Sequence, residues 1–203
     1  MIPCNGKPFL EYLLAQLTEQ GINQFCLLTG YLGERIQEYF GNGQRFGWSI
    51  TYTHGPVEWD TGRRIWEAQS ELEERFLLLY SDNFVPFPIK KVLKQHEKHG
   101  LPLTLMASPK KPGNIEIDEL GIVRRYDNQR GTDIPFVEIG YMVVERDKVL
   151  PYFPKPDCSF SEVLLRMTVS HQIGAWIQHD AYHSISDPER WKKAERYLQP
   201  KKI

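Results

Sequence analysis

Nowhere do apolar residues run on for the roughly 20 positions that a membrane-spanning helix needs, and the first residues lack the basic-then-apolar order of a leader peptide. The expectation is a soluble, cytoplasmic protein with no membrane partner. Cysteine is scarce as well. Cys4, Cys26 and Cys158 are far apart and outside any CxxC spacing, which argues against a disulfide framework and a thiolate zinc centre. Cys26 lies in an apolar run and reads as a small buried residue. A surplus of positive charge is also missing: 25 Lys and Arg against 26 Asp and Glu leave a net charge of -1, which argues against nucleic acid as a partner. Lys110-Lys111 and Arg124-Arg125 read as solvated faces. None of the histidines has metal-ligand spacing, and His96 and His99 read as exposed on one helix. With neither a repeat nor a linker, the 203 residues suit one domain with one core.

What the chain does have is an alternation of strand-like and helix-like stretches. Phe76 to Phe84 reads FLLLYSDNF, and its five leading apolar or aromatic residues have the continuity of a strand buried on both faces. Asp82 and Asn83 then stand where that strand emerges from its carboxyl edge, which is where open α/β sheets place their ligands. An acid there is also a common turn former. Upstream, Leu10, Leu13, Leu14 and Leu17 mark a helix that stops at Gly21. Gln24 to Thr29 reads as a buried strand, Leu32, Ile36, Tyr39 and Phe40 mark a second helix, and Trp48 to His54 a second strand.

Thr61 to Glu73 reads as a helix, Ile89 to His99 as another, and Leu101 to Ala107 as a strand. Short connections between such elements predict a doubly wound α/β sheet. Farther on come a hairpin (Asn114 to Ile117 and Ile122 to Tyr126) and a long strand from Pro135 to Val144. A capping box at Ser159 and Glu162 precedes a helix, Ile173 to His179 alternates as a strand, and Ser186-Asp187-Pro188-Glu189 starts a last helix.

Five stretches in order, IPCNGKPFLEYLLAQL, LLTGYLGERIQEYFG, LLLYSDNF, FVEIGYMVV and YHSISDPERW, make the chain resemble the sugar-1-phosphate nucleotidyltransferases. The last two stretches look most like the heptose 1-phosphate branch. The resemblance implies a Rossmann-like mixed sheet of the nucleotide-diphospho-sugar transferase type. It implies transfer of a nucleotidyl group from a nucleoside triphosphate to a sugar 1-phosphate, with Mg2+ and pyrophosphate release, in nucleotide-sugar synthesis. Asp82 is then a magnesium ligand and catalytic residue, since this hard cation takes oxygen and often only one or two carboxylates. The loop Asp60-Thr61-Gly62 corresponds to the stretch beside the nucleotide base, followed by Arg63 and Arg64, which read either as phosphate ligands or as a solvated face. Asn83, Glu138 and Gly140 fall in the sugar site, Gly140 reading equally as a bulge. Self-association is left open.

Three departures accompany the resemblance. Asn128 occupies a position where many relatives carry a lysine for the sugar phosphate, and Ser184 one where many carry a second metal-binding aspartate. The family's Gly-Gly-x-Gly-Thr-Arg-Leu loop, with the buried strand before it, has no counterpart ahead of Met1-Ile2-Pro3. The expectation is therefore an N-terminally incomplete domain that lacks its first central strand and is weak or inactive alone. Two other readings stand beside the enzyme: a non-catalytic relative or partner subunit that binds sugar phosphate or nucleotide, and a nucleotide-sugar-dependent glycosyltransferase. The last is disfavoured because Ser81-Asp82-Asn83 lacks a second acid.

Overall fold

The computed structural model describes residues 1–199. Two short strands, β1 (Pro3–Cys4) and β2 (Lys7–Pro8), pair across the Asn5-Gly6 turn, whose residues both adopt positive φ. α1 (Phe9–Thr18) follows and buries Leu13, Leu14 and Leu17, and the chain leaves it through Gly21 at φ +90°. Next come β3 (Gln24–Thr29), α2 (Gly33–Phe40) and β4 (Ser49–His54), with β3 and β4 forming a parallel pair. Leu32, expected inward, is instead the left-handed residue before α2 and is largely exposed.

α3 (Thr61–Glu67) is shorter than the sequence suggests. Its chain turns away after Ala68, and the Arg146 guanidinium takes up the carbonyls of Gln69 and Leu72. β5 (Arg75–Leu79), β6 (Asn83–Phe84), α4 (Ile89–His99), β7 (Leu103–Pro109), β8 (Gly113–Ile117) and β9 (Val123–Gly131) lead to the ten-residue β10 (Phe136–Glu145). α5 (Arg146–Val149), α6 (Phe160–Val169), β11 (Ile173–Ile177), β12 (His183–Ser184) and α7 (Pro188–Tyr197) complete the fold. The Ser159–Glu162 capping box starts α6, and the Asp187 side chain caps α7, as their sequences require.

β10 is the axis of a mixed sheet. It pairs antiparallel with β7 along one edge and with β5 and β8 along the other, and β11 lies parallel on β7. Alternation along these strands divides the core into two layers. Leu103, Leu105, Met142 and Val144 face Val163, Leu164 and Met167 of α6, while Met106, Tyr141 and Val143 face Val92 and Ile89 of α4. The histidine expectation fails here. His96 is only 2% exposed, with Nδ1 2.8 Å from the Thr104 hydroxyl and Nε2 3.0 Å from Glu145. His99 is half-buried beneath Gly121 and Gly174, close enough that a Cβ on Gly174 would lie 2.3 Å from its Nδ1.

A second correction concerns the stretch taken as buried on both faces. Phe76, Leu77, Leu78 and Leu79 are each only half-buried, as is Cys26 of β3. The reason is topological. Among the described residues β5 pairs only with β10 and β3 only with β4, so each strand presents an open edge. Those edges line one cavity of about 530 Å³, which α1 closes through Leu14 and Leu17 on one face and α3 and its successor through Ile65 and Leu72 on the other.

Candidate active site

β5 delivers Tyr80, Ser81 and Asp82 to the carboxyl edge of the sheet, at the mouth of that cavity. The turn they form is held from three sides. Tyr80 N–H donates to the Gly140 carbonyl at 2.8 Å, and the Tyr141 hydroxyl donates to the carbonyl of Asn83 at 2.9 Å. Ile185 N–H donates to the carbonyl of Asp82 at 2.9 Å. Beyond the turn, β6 and β12 pair so that Asn83 lies opposite Ser184. The late YHSIS stretch is thereby laid against the SDN stretch, about a hundred residues upstream, and Asp82, Asn83 and Ser184 come together.

Asp82 is exposed to the crevice, yet loss of hydration against its walls raises its pKa, with its own backbone N–H opposing the shift. Its Oδ1 accepts from the Asn83 amide Nδ2 at 3.0 Å. Ser184 is buried, and its Oγ accepts from Ser186 N–H at 3.2 Å. His183 does not turn towards the acid: its ring stacks on Tyr197 at 3.8 Å, and burial lowers its pKa.

Glu138 carries the largest perturbation among the carboxylates. Burial pushes its pKa up to about 7; the N–H of Gly140 opposes this, and the charge of Asp82 adds to it. Gly140 has φ +81° and sits where the β10–β7 register slips between Glu138 and Met142. Both readings of this glycine therefore apply. It is the bulge, and it is also a point of close approach, since a Cβ there would lie 3.1 Å from Tyr80. Tyr80 is the hub of the cluster. Its hydroxyl is pushed far above the ordinary value by burial first, then by the charges of Glu138 and Tyr126, Asp60 and Asp82.

The loop Asp60-Thr61-Gly62 reaches the same crevice with a structural role visible in each residue. Asp60 caps α3, accepting from Thr61 N–H at 2.6 Å, and the Thr61 hydroxyl accepts from Phe160 N–H at 3.0 Å. Gly62 packs on the Cys158 carbonyl, 2.4 Å from where a Cβ would stand. Neither arginine after it is free. Arg63 pairs with Glu67 at 2.5 Å, and Arg64 donates to the carbonyls of Thr29 and Pro56, both at 2.8 Å. Lys7 is likewise held by Glu11 at 3.0 Å. Asn128 is exposed on β9, two residues beyond Tyr126, with nothing tying it to the acids.

Sequence reasoning missed Tyr141 and Lys110. Tyr141 reads as an ordinary core residue of a long strand, but its hydroxyl accepts from Gln16 at 3.1 Å and steadies the Asp82 turn. Lys110, taken for a solvated residue, is half-buried and reaches the Tyr182 hydroxyl at 3.0 Å, two residues from Ser184.

Among the described residues, no Lys or Arg forms an ion pair with Asp60, Asp82 or Glu138. A carboxylate without a protein counter-charge suits a hard divalent cation, so the chemistry of Asp82 fits magnesium. No group of three or more His, Cys, Asp or Glu poised for a metal occurs among the described residues.

These features define an α/β protein whose mixed sheet opens a crevice at its carboxyl edge with Asp82 at the mouth. The chain belongs to the nucleotidyl transferase family, whose model matches residues 1–138. D-glycero-alpha-D-manno-heptose 1-phosphate guanylyltransferase of Aneurinibacillus thermoaerophilus is 34% identical over 142 residues, 70% of this chain and 58% of that relative. The enzyme of the same name from Campylobacter jejuni is 26% identical over 189 residues, covering 93% of this chain and 85% of its own length. In fold, the chain matches the crystal structure of HddC from Yersinia pseudotuberculosis with a TM-score of 0.83 at 19% identity, over 98% of this chain and 89% of that one. No helix among the described residues is long and apolar enough to cross a membrane.

Proposed function

We propose that the protein transfers a nucleotidyl group from a nucleoside triphosphate to a sugar 1-phosphate in the cytoplasm, with heptose 1-phosphate and a guanine nucleotide as the first substrates to test. The observation that carries this reading is the junction of β6 with β12, which sets Asn83 opposite Ser184 and ties the Asp82 carbonyl to the Ile185 amide in a family of nucleotidyl transferases. Two relatives named as heptose 1-phosphate guanylyltransferases support the choice of substrates.

In the reaction a phosphate oxygen of the sugar 1-phosphate attacks the α-phosphorus. A new P–O bond forms, the bond from that phosphorus to the α–β bridging oxygen breaks, and pyrophosphate departs with the electron pair. The protein's part is alignment and charge stabilisation. Asp82 and Ser184 hold Mg2+, which when bound neutralises phosphate charge. Asp60, Thr61 and Gly62 shape the nucleotide side of the crevice. Glu138 accepts from a sugar hydroxyl while Gly140 lets the sugar approach the backbone, and Asn83 and Asn128 offer amides to the sugar phosphate.

A second reading, a relative that binds these ligands without turnover, is favoured by one observation. Lys7, Arg63 and Arg64 are all engaged by carboxylates or carbonyls and leave little cationic charge for a triphosphate. Pyrophosphate release should be assayed with Mg2+, GTP, CTP or UTP and a panel of sugar 1-phosphates. Turnover above the Asp82→Ala blank supports the transferase; nucleotide binding without turnover replaces it with the second reading.

A further inference from the structure

α1 buries an amide in an otherwise apolar face. Leu13, Leu14 and Leu17 pack into the core, and Gln16 is buried on the same helix. Its Nε2 donates to the Tyr141 hydroxyl at 3.1 Å, while its Oε1 has no hydrogen-bond partner among the described residues. A buried amide oxygen left unpaired opposes folding, and a leucine would fill the position without that cost. The glutamine therefore serves its bond to Tyr141 and not the packing of α1.

Tyr141 passes that bond on. Its side chain is fully buried, and its ring is held edge-on by Phe87 with centroids 5.2 Å apart. Because its hydroxyl oxygen accepts from Gln16, the hydroxyl hydrogen is left to donate to the Asn83 carbonyl at 2.9 Å. Burial is the main cause that raises the hydroxyl pKa. Gln16 and the Val85 N–H oppose the shift and the Asp82 charge adds to it, so this hydroxyl lies within the field of the acid. Gln20 fixes the near end. Its Nε2 donates to the Gln16 carbonyl at 3.4 Å, and its Oε1 accepts from the N–H of Ile89, the first residue of α4, at 2.8 Å. Leu17, Ile89 and Tyr141 share one core layer, so a line of hydrogen bonds runs along one face of the sheet from α4 and α1 to the turn that carries Asp82.

We propose that Gln16 and Tyr141 are a positioning pair for the nucleotidyl transfer, an inference that rests on the function proposed above. Tyr141 holds the Asn83 carbonyl from β10, and Ile185 holds the Asp82 carbonyl from the stretch after β12. The two bonds together fix the turn between β5 and β6. Both members of the pair are buried beneath that turn and act through Asp82 without touching substrate. They set where the Asp82 carboxyl stands when the phosphates arrive, so they govern the rate of the bound complex and not the affinity for the sugar 1-phosphate.

Tyr141→Phe, Gln16→Leu and the double variant test the pair in the pyrophosphate assay with GTP, Mg2+ and heptose 1-phosphate. Tyr141→Phe is expected to lower kcat by roughly ten- to hundredfold, the scale for groups that orient a metal ligand, with KM for the sugar 1-phosphate unchanged. Gln16→Leu is expected to lower kcat by less and to leave Tm equal or higher, since it removes an orphaned polar atom; a purely structural glutamine would lower Tm instead. The double variant is expected to match Tyr141→Phe alone, because Gln16 acts through the hydroxyl. Parental kcat in Tyr141→Phe, a rise in KM in place of a fall in kcat, or single losses that multiply in the double variant overturns the proposal. Hydrogen exchange supplies a readout without turnover: Tyr141→Phe should speed exchange at the Ile185 amide by roughly tenfold while leaving the amides of β7 unchanged. If the parent turns over none of the substrates named above, the transferase reading fails on its own and exchange decides the pair. A faster Ile185 amide then keeps the pair as the anchor of the turn, and an unchanged one refutes it. If Tyr141→Phe does not fold, Gln16→Leu decides: a lower kcat at parental Tm supports the pair, and parental kcat refutes it.

Discussion

The amide of Ile185 donates to the carbonyl of Asp82 at 2.9 Å, so the backbone that carries the candidate metal ligand is clamped by the stretch that carries Ser184. Because the clamp uses main-chain atoms, the Asp82 carboxyl can be removed without releasing it. Asp82→Ala should therefore leave stability within about 0.5 kcal/mol, as for exposed side chains generally. It should lower turnover by about a hundredfold or more, the scale seen when a charge-stabilising group is lost. Thermal unfolding and a pyrophosphate assay on the same preparation test both halves, and full turnover in the variant would remove Asp82 from the chemistry.

Gly140 holds a left-handed backbone at φ +81° with Tyr80 against it, and its carbonyl receives the Tyr80 amide. Gly140→Ala meets two penalties together, the backbone one being about 1–2 kcal/mol. A clash with Tyr80 transmits strain to the turn that carries Asp82. The expected result is a lower urea midpoint with an unchanged m-value, together with a fall in kcat. An alanine variant as stable as the parent would mean that neither the bulge nor the contact matters.

Most of the fold was legible because its signals are local. The capping box at Ser159, the Asp187 cap and the apolar faces of α1 and α6 follow from spacings of three or four residues. What was not legible depends on partners distant in the chain. FLLLY looks like a strand buried on both faces, but burial on both faces needs neighbours on both edges, and β5 has one. Arg64 looks free for phosphate until β3 brings the Thr29 carbonyl to it, 35 residues away. Within the site, Asp82 could be singled out from a strand end alone. Tyr141 could not, because the bond from its hydroxyl to Asn83 spans 58 residues and a tyrosine in a core strand carries no local mark of it.

His96 shows the same limit in the core. On the helix surface pattern it looked solvated, yet it bridges the Thr104 hydroxyl and Glu145, which also receives Arg75 Nε at 2.5 Å. His96→Ala strands a buried hydroxyl and removes a partner from a buried carboxylate, at a cost of about 2–4 kcal/mol. His99→Ala, on the half-buried neighbour, should cost less. Chemical denaturation of both variants checks the ordering, and the reverse order would show that the Thr104–His96–Glu145 chain does not hold α4 to the sheet.

Glu138 makes the stability of the metal-free protein depend on pH in a definable direction. Burial raises its folded pKa from 4.5 to about 7, against the Gly140 N–H and with help from Asp82. Between those values the folded chain holds a proton that the unfolded chain has released, so stability falls as pH rises from about 4.5 to about 7 and levels off above that. The part of the fall owed to this one group is about 3 kcal/mol. Glu138→Gln keeps the shape without the ionisation and should lose that part of the slope, whereas Asp82→Ala should move its midpoint to lower pH by removing a like charge. Urea unfolding of all three proteins in chelated buffers from pH 4.5 to 8 measures the difference. Parallel stability curves for the parent and the glutamine variant would show that Glu138 titrates as an ordinary surface acid and that the crevice is open to water at its base.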